Sequence, residues 1–227
     1  MEPWDGVINV LAALGVGGFA VHVLLPVRRN RAPSLLEIRF GALALLLSLF
    51  LAMRGLFWLS GFDAFLGISF IAVSFVPLGI LLAVEGFLRR HAPLPLKLFP
   101  LVGGALCLIA TQAQGTPNAL LFSLFLASFQ ILGLLLPFGW AFLRDRTQLS
   151  RRENRRVDGM ITLTLVGLPF IATDFTDLLS GLPVRLGAIA ILMFAYATVH
   201  TARFPQQNPV FSWRAFNLIL TTLIAAG

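Results

Sequence analysis

The feature that most constrains this chain is its succession of uninterrupted apolar stretches, each close to the length of a bilayer crossing. An α-helix needs roughly 20 apolar residues to cross the hydrocarbon layer. Runs of that kind occupy about Val7–Val27, Arg39–Leu59, Ala64–Leu88, Leu96–Ala113, Ala119–Leu143, Gly159–Leu179 and Pro183–His200. They lack the alternation of a membrane barrel, so helices and not strands are expected. Composition points the same way: 58% of the 227 residues are hydrophobic and 12% are charged. A soluble domain carries about twice that charged fraction and could not hide so much apolar surface. The predicted fold is all-α, a polytopic bundle of seven transmembrane helices within residues 1–204. A last stretch, Val210–Ala226 within 205–227, is short and contains Arg214 and Asn217. It reads as a thin eighth span, an interfacial helix or the start of a longer helix. The opening Met1-Glu2-Pro3-Trp4-Asp5 is acidic where a cleavable signal peptide is basic, so none is expected.

The net charge of +7 invites a nucleic-acid partner, but its distribution argues against one. Arginines cluster between apolar runs: Arg28, Arg29 and Arg31 after the first, Arg89 and Arg90 with Lys97 after the third, and six between Arg144 and Arg156 after the fifth. Arg203 and Arg214 follow the seventh. The alternate connections are almost free of positive charge. This is the pattern of membrane topology and not of a basic binding face. Positive loops stay cytoplasmic, so the N-terminus is expected outside, with the bilayer as the chain's first partner.

Charged groups within spans are costly and are usually paired or functional. Arg54 lies about fifteen residues into the second run and Asp174 about as far into the sixth, which runs in the same direction. At 1.5 Å per residue they share a depth, in the outer third of the bilayer. Asp177 lies one turn beyond Asp174, and Trp58 one turn beyond Arg54. An Arg54–Asp174 ion pair, with Trp58 and Asp177 above it, forms the candidate ligand-binding constellation, an outward-facing polar pocket for a ligand or proton. The plain alternative is a structural pair, or an arginine that snorkels to the headgroups. A second group, His22, Glu85 and His200, lies near the inner surface. Two histidines and a carboxylate can bind a metal. However, the three come from separate helices without local spacing, and Glu85 and His200 lie within reach of water, so no metal is assigned.

Pro77, Pro137 and Pro169 predict kinks in the third, fifth and sixth spans. Gln130, near the middle of the fifth, is expected to bond to a neighbouring helix. Gly103-Gly104 and the Gly15, Gly17 and Gly18 group permit close helix contact. Trp4, Trp58, Trp140 and Trp213 fall near predicted interfaces, as an aromatic belt requires.

Several classes lose ground. Cys107 is the single cysteine, which removes intramolecular disulfides and cysteine-based zinc sites. Lys97, at the start of the fourth span, is the single lysine, so a retinal Schiff base has no partner within the bundle. Haem ligation would want histidine pairs inside the spans, and only His22 is well placed. No Gly-x-Ser-x-Gly elbow, His-Glu-x-x-His or phosphate loop occurs. An enzyme is the poorer class, and no cofactor is assigned.

The segment Asp174-Phe-Thr-Asp177-Leu-Leu-Ser-Gly-Leu-Pro183-Val-Arg-Leu-Gly187 precedes an apolar helix ending in His200-Thr-Ala-Arg203. Together with the Arg151–Arg156 stretch, it resembles the last two spans of the seven-helix membrane sensor regions that precede bacterial histidine kinases. The likeness covers about a quarter of the chain. It implies a bacterial inner-membrane sensor recognising a small or lipophilic signal, acting through a separate signalling partner or as a homo-oligomer. It carries over no catalytic residue. A small transporter or permease subunit, or a structural subunit of a membrane complex, remains as an alternative. Transport would favour inverted repeats and polar groups at mid-bilayer, and the midplane here holds little beyond Gln130.

Overall fold

The structure, a computed structural model, describes residues 3–25, 34–112, 119–174 and 186–202. These fold into eight α-helices, with a short 3-10 turn at Arg146–Gln148: α1 (Pro3–Leu24), α2 (Leu35–Ser60), α3 (Asp63–Ser74), α4 (Val76–Leu88), α5 (Leu94–Gln112), α6 (Ala119–Phe142), α7 (Arg151–Ala172) and α8 (Gly187–Ala202). There is no strand among the described residues. Segments α3 and α4 form one broken rod, Asp63–Leu88. That rod, with α1, α2, α5 and α6, gives five helices long and apolar enough to cross a membrane. The bundle's outer surface is correspondingly oily. Leu94, Leu101, Leu106 and Ile109 of α5, and Leu45 and Leu49 of α2, are all exposed. Lipid hydrogen-bonds nothing, so a spanning segment must satisfy its own backbone, which helices do.

Small residues let the first two helices approach closely. A Cβ on Gly55 would lie 2.8 Å from the Gly6 carbonyl oxygen, and one on Gly17 would lie 2.8 Å from Ser48 Oγ. Ser48 donates across the same contact to the Ala13 carbonyl at 2.8 Å. Of the expected glycine contacts, Gly17 takes part whereas Gly18 faces open space. Gly103 packs under the Phe129 ring and Gly104 lies against the Ser74 carbonyl, which docks α5 on α6 and α3.

The predicted kink in the third span is a full break at Phe75, two residues before Pro77. Proline has no N–H to give the carbonyl four residues back. That carbonyl belongs to Val73, and Gln130 Nε2 on α6 donates to it at 2.8 Å. Gly133, one turn along α6, has no side chain to collide with the Pro77 ring. The expected interhelical bond of Gln130 therefore repairs what the proline removes.

The ends of the helices sort by charge. The end of α4 and the start of α7 meet through Arg89 and Glu153, 2.9 Å apart. The start of α2 joins the same end through Arg39 and Glu85 at 3.5 Å. Arg144, whose side chain is almost fully buried, clamps the start of α7 through Asn154 at 3.0 Å and Asp158 at 2.7 Å. α7 begins at Arg151, two turns before the expected Gly159. A capping box explains why: Ser150 Oγ accepts from the Glu153 N–H, and the Glu153 carboxylate accepts from the Ser150 N–H. The polar stretch thus extends α7, whereas α6 stops at Phe142. The stretch Val210–Ala226 lies outside the described residues.

Candidate ligand pocket

Arg54 and Asp174 meet as the matched depths require. Arg54 Nη1 donates to Asp174 Oδ2 at 2.7 Å and Nη2 to the Asp174 carbonyl at 3.5 Å. Their side chains retain 13% and 12% of their exposure, so most of the pair is out of solvent. Aromatic faces complete the setting of the guanidinium. Its carbon lies 5.0 Å from the Trp58 ring centroid and 5.6 Å from that of Phe50, both within cation–π range.

Asp174 is not inside a helix, as the apolar run to Leu179 led one to expect. α7 stops at Ala172 with Thr173 as its cap, and Asp174 sits in the turn that follows. Here the chain finds its bonds locally. The Thr173 hydroxyl donates to the Phe170 carbonyl at 2.6 Å and accepts from the Leu186 N–H at 2.8 Å, tying the end of α7 to the start of α8. Gly187, the first residue of α8, lies directly beneath the Asp174 carboxylate, which occupies the space a Cβ would need. A helix N-terminus also favours a carboxylate. Asp177 lies outside the described residues.

Below the pair, the bundle holds a partly open cavity of about 370 Å³. It runs from Arg54, Trp58 and Asp174 down to Leu47, Ile80 and Leu134, through the half of the bundle away from the arginine-rich connections. Its walls come from α2, α3, α4, α6, α7 and α8. Several polar side chains on these walls have already spent a donor on backbone. The Ser69 hydroxyl donates to Leu66, that of Thr164 to Met160, and Gln130 to Val73. Strong polarity is thereby concentrated at the Arg54–Asp174 end. Sequence reasoning named the pair and an outward-facing pocket at it, but not the apolar residues that line the cavity below. Residues around a cavity and residues facing lipid are equally apolar, so the pattern does not separate them.

Of the His22–Glu85–His200 group considered from the sequence, Glu85 has a well-defined set of partners. The Glu85 side chain is 2% exposed and lies 3.0 Å from Lys97, 3.5 Å from Arg39 and 3.8 Å from His91, and it accepts from the Ala92 N–H at 2.7 Å. Its site gathers the Lys97 and Arg39 cations at one end of the bundle, where a metal ion would meet like charge. No group of three metal-ligating side chains occurs among the described residues, which do not include the His200 side chain.

No protein-family model, curated protein or solved structure matches the chain.

Proposed function

We propose that this chain is a membrane-embedded sensor, a receptor-like region that recognises a small or lipophilic signal in the pocket headed by Arg54, Trp58 and Asp174. The observation that carries the proposal is the cavity itself, oily along its length and charged at one end. Its volume falls within the range of small-molecule sites, and convergent polar groups in an apolar pocket are the usual mark of one. The α3–α4 rod that lines it is broken at Phe75, beside Pro77, and a broken helix in a bundle supplies a hinge that an occupant can bias. In this proposal α7 and α8 also cross, giving seven spans in a bacterial inner membrane with the N-terminus outside. The clustering of the arginine-bearing connections at one end supports that orientation.

A small transporter is the second reading, because a cavity serves passage as well as detection. Against it, the Ser69 and Thr164 hydroxyl protons and one Gln130 N–H are engaged with backbone, whereas a permeation path needs polar groups to offer its cargo. Gentle purification from native membranes, followed by identification of what accompanies the chain, separates the two. A stoichiometric signalling protein is the expected result. Substrate-dependent flux in liposomes without such a partner would replace the sensor with the transporter.

A further inference from the structure

We propose that the pocket takes an uncharged linear amphiphile, one hydrogen-bonding head on an apolar tail, seated with its head at Arg54–Asp174. This rests on the pocket being a ligand site. The argument is one of charge. Among the described residues the lining contains one cation, Arg54, and one anion, Asp174, and these neutralise each other at 2.7 Å. An ionic head would enter a low-dielectric site whose described residues offer no spare counter-charge. It would have to displace Asp174 from Arg54 or Arg54 from Asp174, leaving a stranded ion in either case. A hydroxyl or carbonyl head needs no such exchange, since it can bond at the edge of an intact pair. A purely hydrocarbon guest would forgo that bond.

The rest of the pocket fits a tail. Leu47, Val73, Ile80 and Leu134 line its deeper part, and the Ser69 and Thr164 hydroxyls are turned to their own helices. The volume of about 370 Å³, at about 30 Å³ per water-sized group, holds on the order of a dozen non-hydrogen atoms. A head and a chain of about ten carbons fill it.

Trp58 lines the pocket beside Arg54 and can report occupancy. The test uses the full chain in phosphatidylcholine nanodiscs with Trp4, Trp140 and Trp213 replaced by phenylalanine. Trp58 emission is followed at neutral pH against 1-decanol, decanoate, decyltrimethylammonium and decane, each expressed as concentration in the bilayer. The proposal predicts saturable change with decanol, and midpoints at least about tenfold higher for both ions and for decane. A tighter midpoint for either ion, or equal binding of decane, overturns the ligand class while leaving the pocket standing. Saturation by none of the four overturns pocket and class together. Gly167→Leu supplies the control for location: Gly167 lines the cavity, and a Cβ there meets nothing nearer than Ala190 Cβ at 4.0 Å. It should abolish saturation by decanol. Persistent saturation would place the binding elsewhere and overturn the proposal.

Discussion

Gln130 Nε2 donates at 2.8 Å to the carbonyl of Val73, the group that Pro77 leaves without its helical donor. The bond joins α6 to the break between α3 and α4 and lies on the pocket wall. Gln130→Leu should cost about 1 kcal/mol, within the range of interhelical bonds in membranes. Pro77→Ala restores the missing N–H, so Pro77→Ala/Gln130→Leu should lose less than the sum of the two single changes. Reversible unfolding in mixed micelles measures all three, and strict additivity would disconnect the glutamine from the break.

Gly187 gives the Asp174 carboxylate its seat. Gly187→Ala places a methyl group where that carboxylate lies and should destabilise the bundle by roughly 1–3 kcal/mol, the usual scale of overpacking. Infrared carboxylate bands, compared with and without Asp174→Asn, should show the Asp174 environment altered. A variant with unchanged stability and unchanged bands would mean that the carboxylate sits elsewhere.

Arg89 ends α4 with φ 51°, a left-handed conformation that costs a side-chain-bearing residue roughly 1 kcal/mol. Its ion pair with Glu153 offsets little of this, because the arginine side chain is 77% exposed. Arg89→Gly should therefore raise the melting temperature. A lowered one would show that the ion pair outweighs the backbone strain.

The start of α7 should depend on pH. Bonds from the Ser150 hydroxyl and the Ser150 N–H hold the Glu153 carboxyl below the usual glutamate range, with Arg89 adding to the effect. A depressed folded value contributes stability above the ordinary carboxylate range and loses it as pH falls through the lower folded value. Amide exchange across Arg151–Arg155, corrected for intrinsic rate, should stay slow from about pH 7 to below the ordinary glutamate range and then quicken. Ser150→Ala should move that onset upward. An onset unmoved by Ser150→Ala would remove the capping box as its cause.

Much of this architecture was legible in the sequence, and the illegible part has a physical cause. Helical rise fixes depth within each span, which is why Arg54 and Asp174 matched and why Gln130 stood out at mid-bilayer. Rise says nothing about which helices are neighbours. Depth alone groups Glu85 with His22 and His200 and does not single out Arg39 and Lys97, the side chains that converge on it. In water an amphipathic stripe would mark the inward face, but in lipid both faces are apolar, and the signal that would reveal the cavity is absent. The turn at Thr173 was hidden in the same way, inside a run that stays oily through Ile171 and resumes at Leu178.

The pocket depends on its head group, and a double-mutant cycle on Arg54 and Asp174 tests that most directly. Either single change, Arg54→Ala or Asp174→Ala, strands a largely desolvated charge and should cost roughly 2–4 kcal/mol. Unfolding free energies in mixed micelles should show the double variant losing at least about 1 kcal/mol less than the sum of the two. Losses that simply add would mean that the two charges do not meet in the folded bundle, and the pocket would have no polar end.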